Sequence, residues 1–146
     1  MTEWPADSKA WFDEAIWDLE AANDLLKTKK YNYACFHAQQ SAEKALKALL
    51  RSFNENSWGH SVRYLLERYE KKTGSNTGLE TYAKELDRHY IPSRYPDALP
   101  YGSPKDAYDE VIATKCLHHA EEILDFVEKQ RRRMQKKKET HKLEER

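Results

Sequence analysis

An all-α fold, an antiparallel up-and-down bundle of about five helices, is what this sequence predicts. Apolar residues recur at helical period in five separate stretches, and no stretch of useful length alternates with the period of a strand. Charged residues make up 34% of the 146-residue chain and glycine occupies only 4 positions, a composition that suits helices better than a sandwich or barrel. Helix-breaking residues are concentrated in one segment, where Pro92, Pro96, Pro100 and Pro104 fall at every fourth position. Proline lacks the backbone donor and pushes the preceding residue out of the helical region. Residues 90–104 are therefore expected as an extended, stiff strap before the last helix.

The first helix is expected from about Ser8 to Lys27, with Trp11, Phe12, Ala15, Ile16, Leu19, Ala22 and Leu26 in one apolar arc. Asp13, Glu20 and Asp24 lie opposite, and Trp17 falls among those acids. An aromatic there either lies along the helix surface or contacts another subunit. After the connector Lys27-Thr-Lys-Lys-Tyr-Asn32, Asn32 is expected to cap a second helix from about Tyr33 to Phe53. Its apolar face is Cys35, Ala38, Ala42, Ala45, Leu46, Leu49 and Phe53, with alanines that let a neighbour approach closely. A third helix, about Ser61 to Lys72, follows a turn at 54–59, and a fourth, about Leu79 to Tyr90, follows the loop Thr73–Gly78. Ser103, Pro104 and Asp106 form a capping-box signature for the fifth helix. The arc of that helix, from Tyr108 to Val127, is wide enough to pack on more than one neighbour, and the outer side suits a dimer partner.

The length suits one domain, expected over 1–130, with a basic, flexible tail over 131–146. Residues 129–146 hold nine Lys/Arg and three Glu, a net of +6, so the other 128 residues carry −6 and the formal total is zero. Such a tail either solubilises the chain or binds RNA without sequence preference. No apolar run is long enough for a membrane span, and the first residues lack the pattern of a signal peptide. Cys35 and Cys116 are the only cysteines, and neither has zinc-ligand spacing. A cytoplasmic protein without metal or other cofactor is the simplest expectation.

Two groups of residues point to binding chemistry. On the second helix, His37, Gln40, Lys44, Lys47 and Arg51 stand at offsets 0, 3, 7, 10 and 14, within an arc of roughly 80°. That stripe either holds phosphate oxygens or is a solvated face with a Glu43–Lys47 pair. On the strap, Arg94 and Asp97 flank Tyr95-Pro96. Arg94 either binds an anion while a tyrosine stacks on a base, or fastens the strap to the bundle. With so few glycines, a glycine-rich phosphate cradle is excluded.

Together, Ala34-Cys-Phe-His-Ala-Gln-Gln-Ser-Ala-Glu-Lys-Ala-Leu-Lys-Ala-Leu-Leu50, His60-Ser61 and Tyr90-Ile-Pro-Ser-Arg-Tyr-Pro-Asp97 resemble the HEPN (higher eukaryotes and prokaryotes nucleotide-binding) family over roughly residues 8–130. The resemblance implies a helical bundle, usually dimeric, with a role tied to nucleotides or RNA. It also implies a frequent pairing with a separate minimal nucleotidyltransferase. Carried over by residue, its motifs fall on Gln40, Glu43, Lys44 and Lys47 and on Arg94, Tyr95, Pro96 and Asp97. Some members are metal-independent ribonucleases with an Arg, four to six residues, then a His. No arginine here stands at that distance before a histidine, so no catalytic residue is assigned.

The expected reading is a homodimer binding a nucleotide of the ATP or GTP class between the second-helix stripe and the strap. Gln40, Lys44, Lys47, Arg94, Tyr95 and Asp97 would form the site. One alternative is a non-catalytic partner of a nucleotidyltransferase in a toxin–antitoxin-like pair, with Trp17 at the interface. The other is a metal-independent ribonuclease of unrecognised arrangement.

Overall fold

The structure, a computed structural model, describes residues 4–145. Residues 1–3 of the expected domain and Arg146 of the expected tail lie outside the described residues. All regular elements among the described residues are helical: α1 (Ala6–Lys27), α2 (Tyr31–Ser52), α3 (Val62–Thr73), α4 (Glu80–Asp87), a 3₁₀ turn (Pro96–Ala98), α5 (Pro104–Ala107) and α6 (Glu110–Glu144).

The central element is α2. It packs against every other α-helix, and 14 of its 22 residues are buried. Small side chains make this possible: Ala34, Ala38, Ala42, Ala45 and Ala48 are fully buried. Opposite them on α1 stand Ala15 and Ala22, also fully buried, and Ser41 Oγ reaches across to donate to the Ala15 carbonyl at 2.6 Å. A side-chain donor can touch a carbonyl inside a neighbouring helix only where the backbones approach closely. Contacts pair Asp7 with Arg51, Ala15 with Ser41, and Asp18 with His37 and Lys44, the register of an antiparallel hairpin. The buried line of α1 is narrow, Ser8, Phe12, Ala15, Asp18 and Ala22. Ile16 lies about 100° from the centre of that line and is exposed rather than part of the core.

Two helix starts differ from those the sequence suggests. Lys30, not Asn32, precedes α2, and Asn32 lies in its first turn. The Asn32 side chain leaves the helix and donates through Nδ2 to the Ser93 carbonyl at 3.0 Å. Ser103 precedes only the single turn α5, and its hydroxyl bonds the Asp106 carboxylate. Tyr108 and Asp109 are then extended, and Asp109 caps the long helix α6 through a 2.9 Å bond from the Ile112 N–H. Both Ser103 and Asp109 are good cap residues. The chain uses them in succession to turn a corner.

Proline segment 90–104 is not extended. It folds into consecutive turns, with Tyr95 N–H donating to Ile91 at 3.2 Å and Leu99 N–H to Pro96 at 3.0 Å. Pro96 occupies the first position of the 3₁₀ turn, where a missing donor costs nothing. The preceding helix α4 stops at Asp87, one turn short of the expected Tyr90, and Asp87 has another task. Its carboxylate accepts from Ser61 Oγ and the Val62 N–H, both at 2.7 Å, and from the Arg63 N–H at 3.1 Å. The end of α4 thereby caps the start of α3, assisted by Ser61 Oγ, which accepts from the Tyr64 N–H. At the other end of the chain, α6 passes residue 130 without a break and continues to Glu144, with Met134 packed on the core.

Asp87→Ala removes three acceptor bonds at the start of α3. It is expected to cost about 2 kcal/mol, read in urea as a lower midpoint with unchanged slope.

Candidate functional site

The polar side of α2 is paired along its length, and only its Arg51 end is exposed. Lys44 pairs with Asp18 at 2.7 Å, His37 Nδ1 lies 3.0 Å from the same carboxylate, and Arg51 pairs with Asp7. Lys47 is buried, pairs with Glu43 at 3.3 Å and sits over the Trp11 ring at 5.2 Å. Burial alone would raise the Asp18 carboxyl, but hydrogen bonds from His37 and Lys44 outweigh it and hold the group below the ordinary carboxylate range. Asp18 is the residue that sequence reasoning missed on α1. Its place on the buried line beside Ala15 and Ala22 is the signal that marks it.

From this seam a chain of contacts runs to the proline segment. Gln40 Nε2 donates to Gln39 Oε1 at 2.8 Å and to Glu43 at 3.2 Å, while Gln39 Nε2 donates to the His60 carbonyl at 2.7 Å. The His60 ring stacks on Tyr90, with centroids 5.1 Å apart and planes 16° from parallel. Arg94 comes next. Its guanidinium lies 4.3 Å from the Phe36 centroid, 4.7 Å from Tyr90 and 5.0 Å from Tyr95, and it donates twice to the Tyr90 carbonyl, at 3.0 and 2.7 Å. Three aromatic rings around one guanidinium fix its position. Asp97 is not its partner; among the described residues the Asp97 side chain makes no hydrogen bond or ion pair, and Arg94 is oriented by rings and a carbonyl instead.

The sequence-predicted residues thus divide. Gln40, Lys44 and Lys47 belong to the α1–α2 seam, and Arg94 and Tyr95 to a separate place. Phe36, which meets Arg94, and Lys44 are eight residues apart on α2, a distance of about 12 Å along the axis. Lys44 and Lys47 pair with Asp18 and Glu43 and, among the described residues, make no ion pair or ring contact with the proline segment.

Arg94 instead opens on a cavity of about 500 Å³ between the α1–α2 connector and the start of α5, lined also by Lys29, Lys30, Tyr33 and Lys105. Four cations and no carboxylate line it. None of the three lysines has an ion-pair partner among the described residues. The connector places two of them: α1 ends at Lys27, Lys29 takes a left-handed conformation with φ 65°, and Lys30 opens α2. Tyr33, which lines the cavity, and Tyr95, which packs on Arg94, are each 49% exposed. Of the sequence-predicted residues Arg94 lines this cavity. Lys29 and Lys30 in the connector and Lys105 in the single turn α5 have no long helical period to group them, and sequence reasoning does not single them out. Trp17, as placed by sequence on the outer face of α1, is 68% exposed and borders a second hollow with Glu20 and Asp24.

A third cluster lies inside the bundle. Cys35 of α2, Cys116 of α6 and His89 bring one ligand atom each within 4.8 Å of one another. Hydrogen bonding from the Cys35 thiol, and then from His89, holds the Cys116 thiol down at about 6 against its burial. The same contact pushes Cys35 up.

The fold is an all-helical bundle with a cationic pocket beside Arg94. The HEPN domain family model matches residues 8–130, and the chain belongs to that family. It is 30% identical, over 82% of its length and 85% of the relative's, to a protein of Methanocaldococcus jannaschii named "Putative toxin MJ1304". Among solved structures it resembles TT1696 from Thermus thermophilus, with a TM-score of 0.81 and 38% identity over 86% of this chain and 98% of that one. It also resembles ST0689, an archaeal HEPN homologue, with a TM-score of 0.73 and 36% identity over 90% and 99% of the two chains. Among the described residues no helix is long and apolar enough to cross a membrane.

Because the Asp18 carboxyl is depressed in the fold, its contribution is complete above the unfolded value near pH ~3.9 and is lost as pH falls through the folded value. Asp18→Asn is expected to lower stability at neutral pH by about 1–3 kcal/mol. The gap to wild type should narrow between pH 5 and pH 2 (approximate limits). A gap independent of pH in urea titrations would contradict the assignment.

Proposed function

We propose that this HEPN protein is a homodimer that binds a nucleotide of the ATP or GTP class at the pocket beside Arg94. The observation that carries the reading is the convergence of Arg94, Lys29, Lys30 and Lys105 on one cavity without a carboxylate. The domain around it is acidic, with net −6 outside residues 129–146. Phosphate oxygens satisfy such a set, with the ring-held Arg94 as the fixed donor and the lysines as adaptable charges. A base stacks on Tyr33 or Tyr95. In this reading Lys44 and Lys47 hold α1 to α2, Gln40 links them to the His60 loop, and Asp97 does not line the pocket.

Calorimetry with ATP, GTP and short RNA tests it. Lys29→Glu with Lys105→Glu is expected to weaken binding more than about tenfold, while Lys44→Gln changes stability and leaves affinity alone. No binding by wild type at millimolar ligand would sink the nucleotide reading. Binding of RNA alone, lost on neutralising Lys136 and Lys137, would move the site to the end of α6. Metal-free RNA cleavage abolished by Arg94→Ala would revive the ribonuclease reading.

A second reading is favoured by the relative named as a toxin and by Trp17. Here the protein is the non-catalytic half of a pair with a nucleotidyltransferase, docked through Trp17 and the acids beside it. Co-purification with a co-expressed nucleotidyltransferase is expected to be lost in Trp17→Glu, with nucleotide affinity intact. An unchanged pull-down would remove Trp17 from the interface.

A further inference from the structure

The cluster of Cys35, His89 and Cys116 has no part in the reading above, and it is unusual on three counts. Both thiols are buried, at 0% and 2% exposure, so they are shielded from exchange with other thiols. They come from different helices, and the imidazole comes from the turn after α4. No spacing along the chain brings them together; only the fold does. The donor atoms lie within 4.8 Å of one another. Tetrahedral ligands on 2.3 Å zinc–sulfur bonds are about 3.7 Å apart. The cluster is thus within about 1 Å of closing on an ion, a movement that rotamer adjustment supplies.

The imidazole is also held for the purpose. His89 Nδ1 lies 2.7 Å from the Tyr108 hydroxyl, and the rings meet edge to face at 5.3 Å. Metal-bound histidines characteristically have the second ring nitrogen fixed by such a partner. With Nδ1 engaged, Nε2 is the nitrogen left to ligate.

We propose that Cys35, Cys116 and His89 form an internal binding site for a divalent cation of the zinc class, with one position left for a water. The donor chemistry selects the ion. Two thiolates and an imidazole suit zinc over magnesium or calcium, which take oxygen ligands. A divalent ion balances two thiolates, so the filled site is neutral inside the bundle. Each thiol gives its proton to solvent on coordination. The bound ion ties α2, α6 and residue 89 to one point. Residue 89 is the root of the turns that present Tyr90 and Arg94, so the metal stiffens the segment that carries the pocket.

The test uses the full chain, reduced and freed of metal, titrated with Co²⁺ as a spectroscopic stand-in for Zn²⁺. One equivalent is expected to produce the near-ultraviolet band of thiolate–cobalt charge transfer, and Zn²⁺ should displace it. Zinc at 100-fold its Kd is expected to raise Tm by about 5–10 °C. Cys35→Ala, Cys116→Ala and His89→Gln should each weaken or abolish the band. His89→Gln, at a partly exposed position outside any helix, carries the test if the buried cysteine variants fail to fold. A folded wild type without the band overturns the proposal. So do unchanged bands in all three variants, the sign of ligands elsewhere.

Discussion

The close approach of α1 to α2 is the constraint on which the rest of this molecule depends. Alanines and one serine on α2 leave room for a second backbone, and Ala15 and Ala22 of α1 fill it. A helix buried this thoroughly cannot leave its polar groups to water. Each must find a partner inside the protein or raise the energy of the fold. Asp18 of α1 meets that demand for His37 and Lys44, and the His60 loop, drawn onto α2, meets it for Gln39 and Glu43. Replacing an alanine of the seam by leucine would push the helices apart and break the Ser41–Ala15 bond in the same stroke.

The pocket follows from that demand. Gln39 holds the His60 loop, His60 stacks on Tyr90, and Tyr90 supplies both a ring and a carbonyl to Arg94. From the other side, Asn32 holds the buried Ser93 through its carbonyl. The proline segment is therefore tied to α2 by polar contacts of high geometric demand, while little apolar surface beneath it is buried. Stiffness comes from the prolines and position from α2. The Arg94 guanidinium, whose ordinary mobility would cost entropy on binding, is held before any ligand arrives.

Much of the bundle was legible because helical period survives in the sequence. The third helix, expected from about Ser61 to Lys72, spans Val62–Thr73. The departures have physical reasons. Ser103 and Asp109 are both plausible caps, and only packing decides that the long helix starts at the second. Asn32 is a good cap by type, but the Ser93 carbonyl competes for it from sixty-one residues away. The stripe on α2 was visible as a period; that Asp18 and Asp7 would cover it was not, since pairing between helices leaves no local signal. Lys29, Lys30 and Lys105 illustrate the same limit at the pocket, and Cys35 with Cys116 inside the bundle.

The length of α6 gives the zero formal charge a different meaning. Thirty-five residues extend over about 52 Å, and the far half of that rod is basic, with eight Lys/Arg and three Glu over residues 129–145, while residues 4–128 are net acidic. The molecule is neutral in sum and strongly dipolar in arrangement. It will turn in the field of a polyanion before contact, basic end first, and tend to stack head to tail with its own copies at low salt. Both tendencies fade once the Debye length falls to about 8–10 Å. Solubility and association measured near the isoelectric point will therefore respond to ionic strength far more than a net charge of zero suggests.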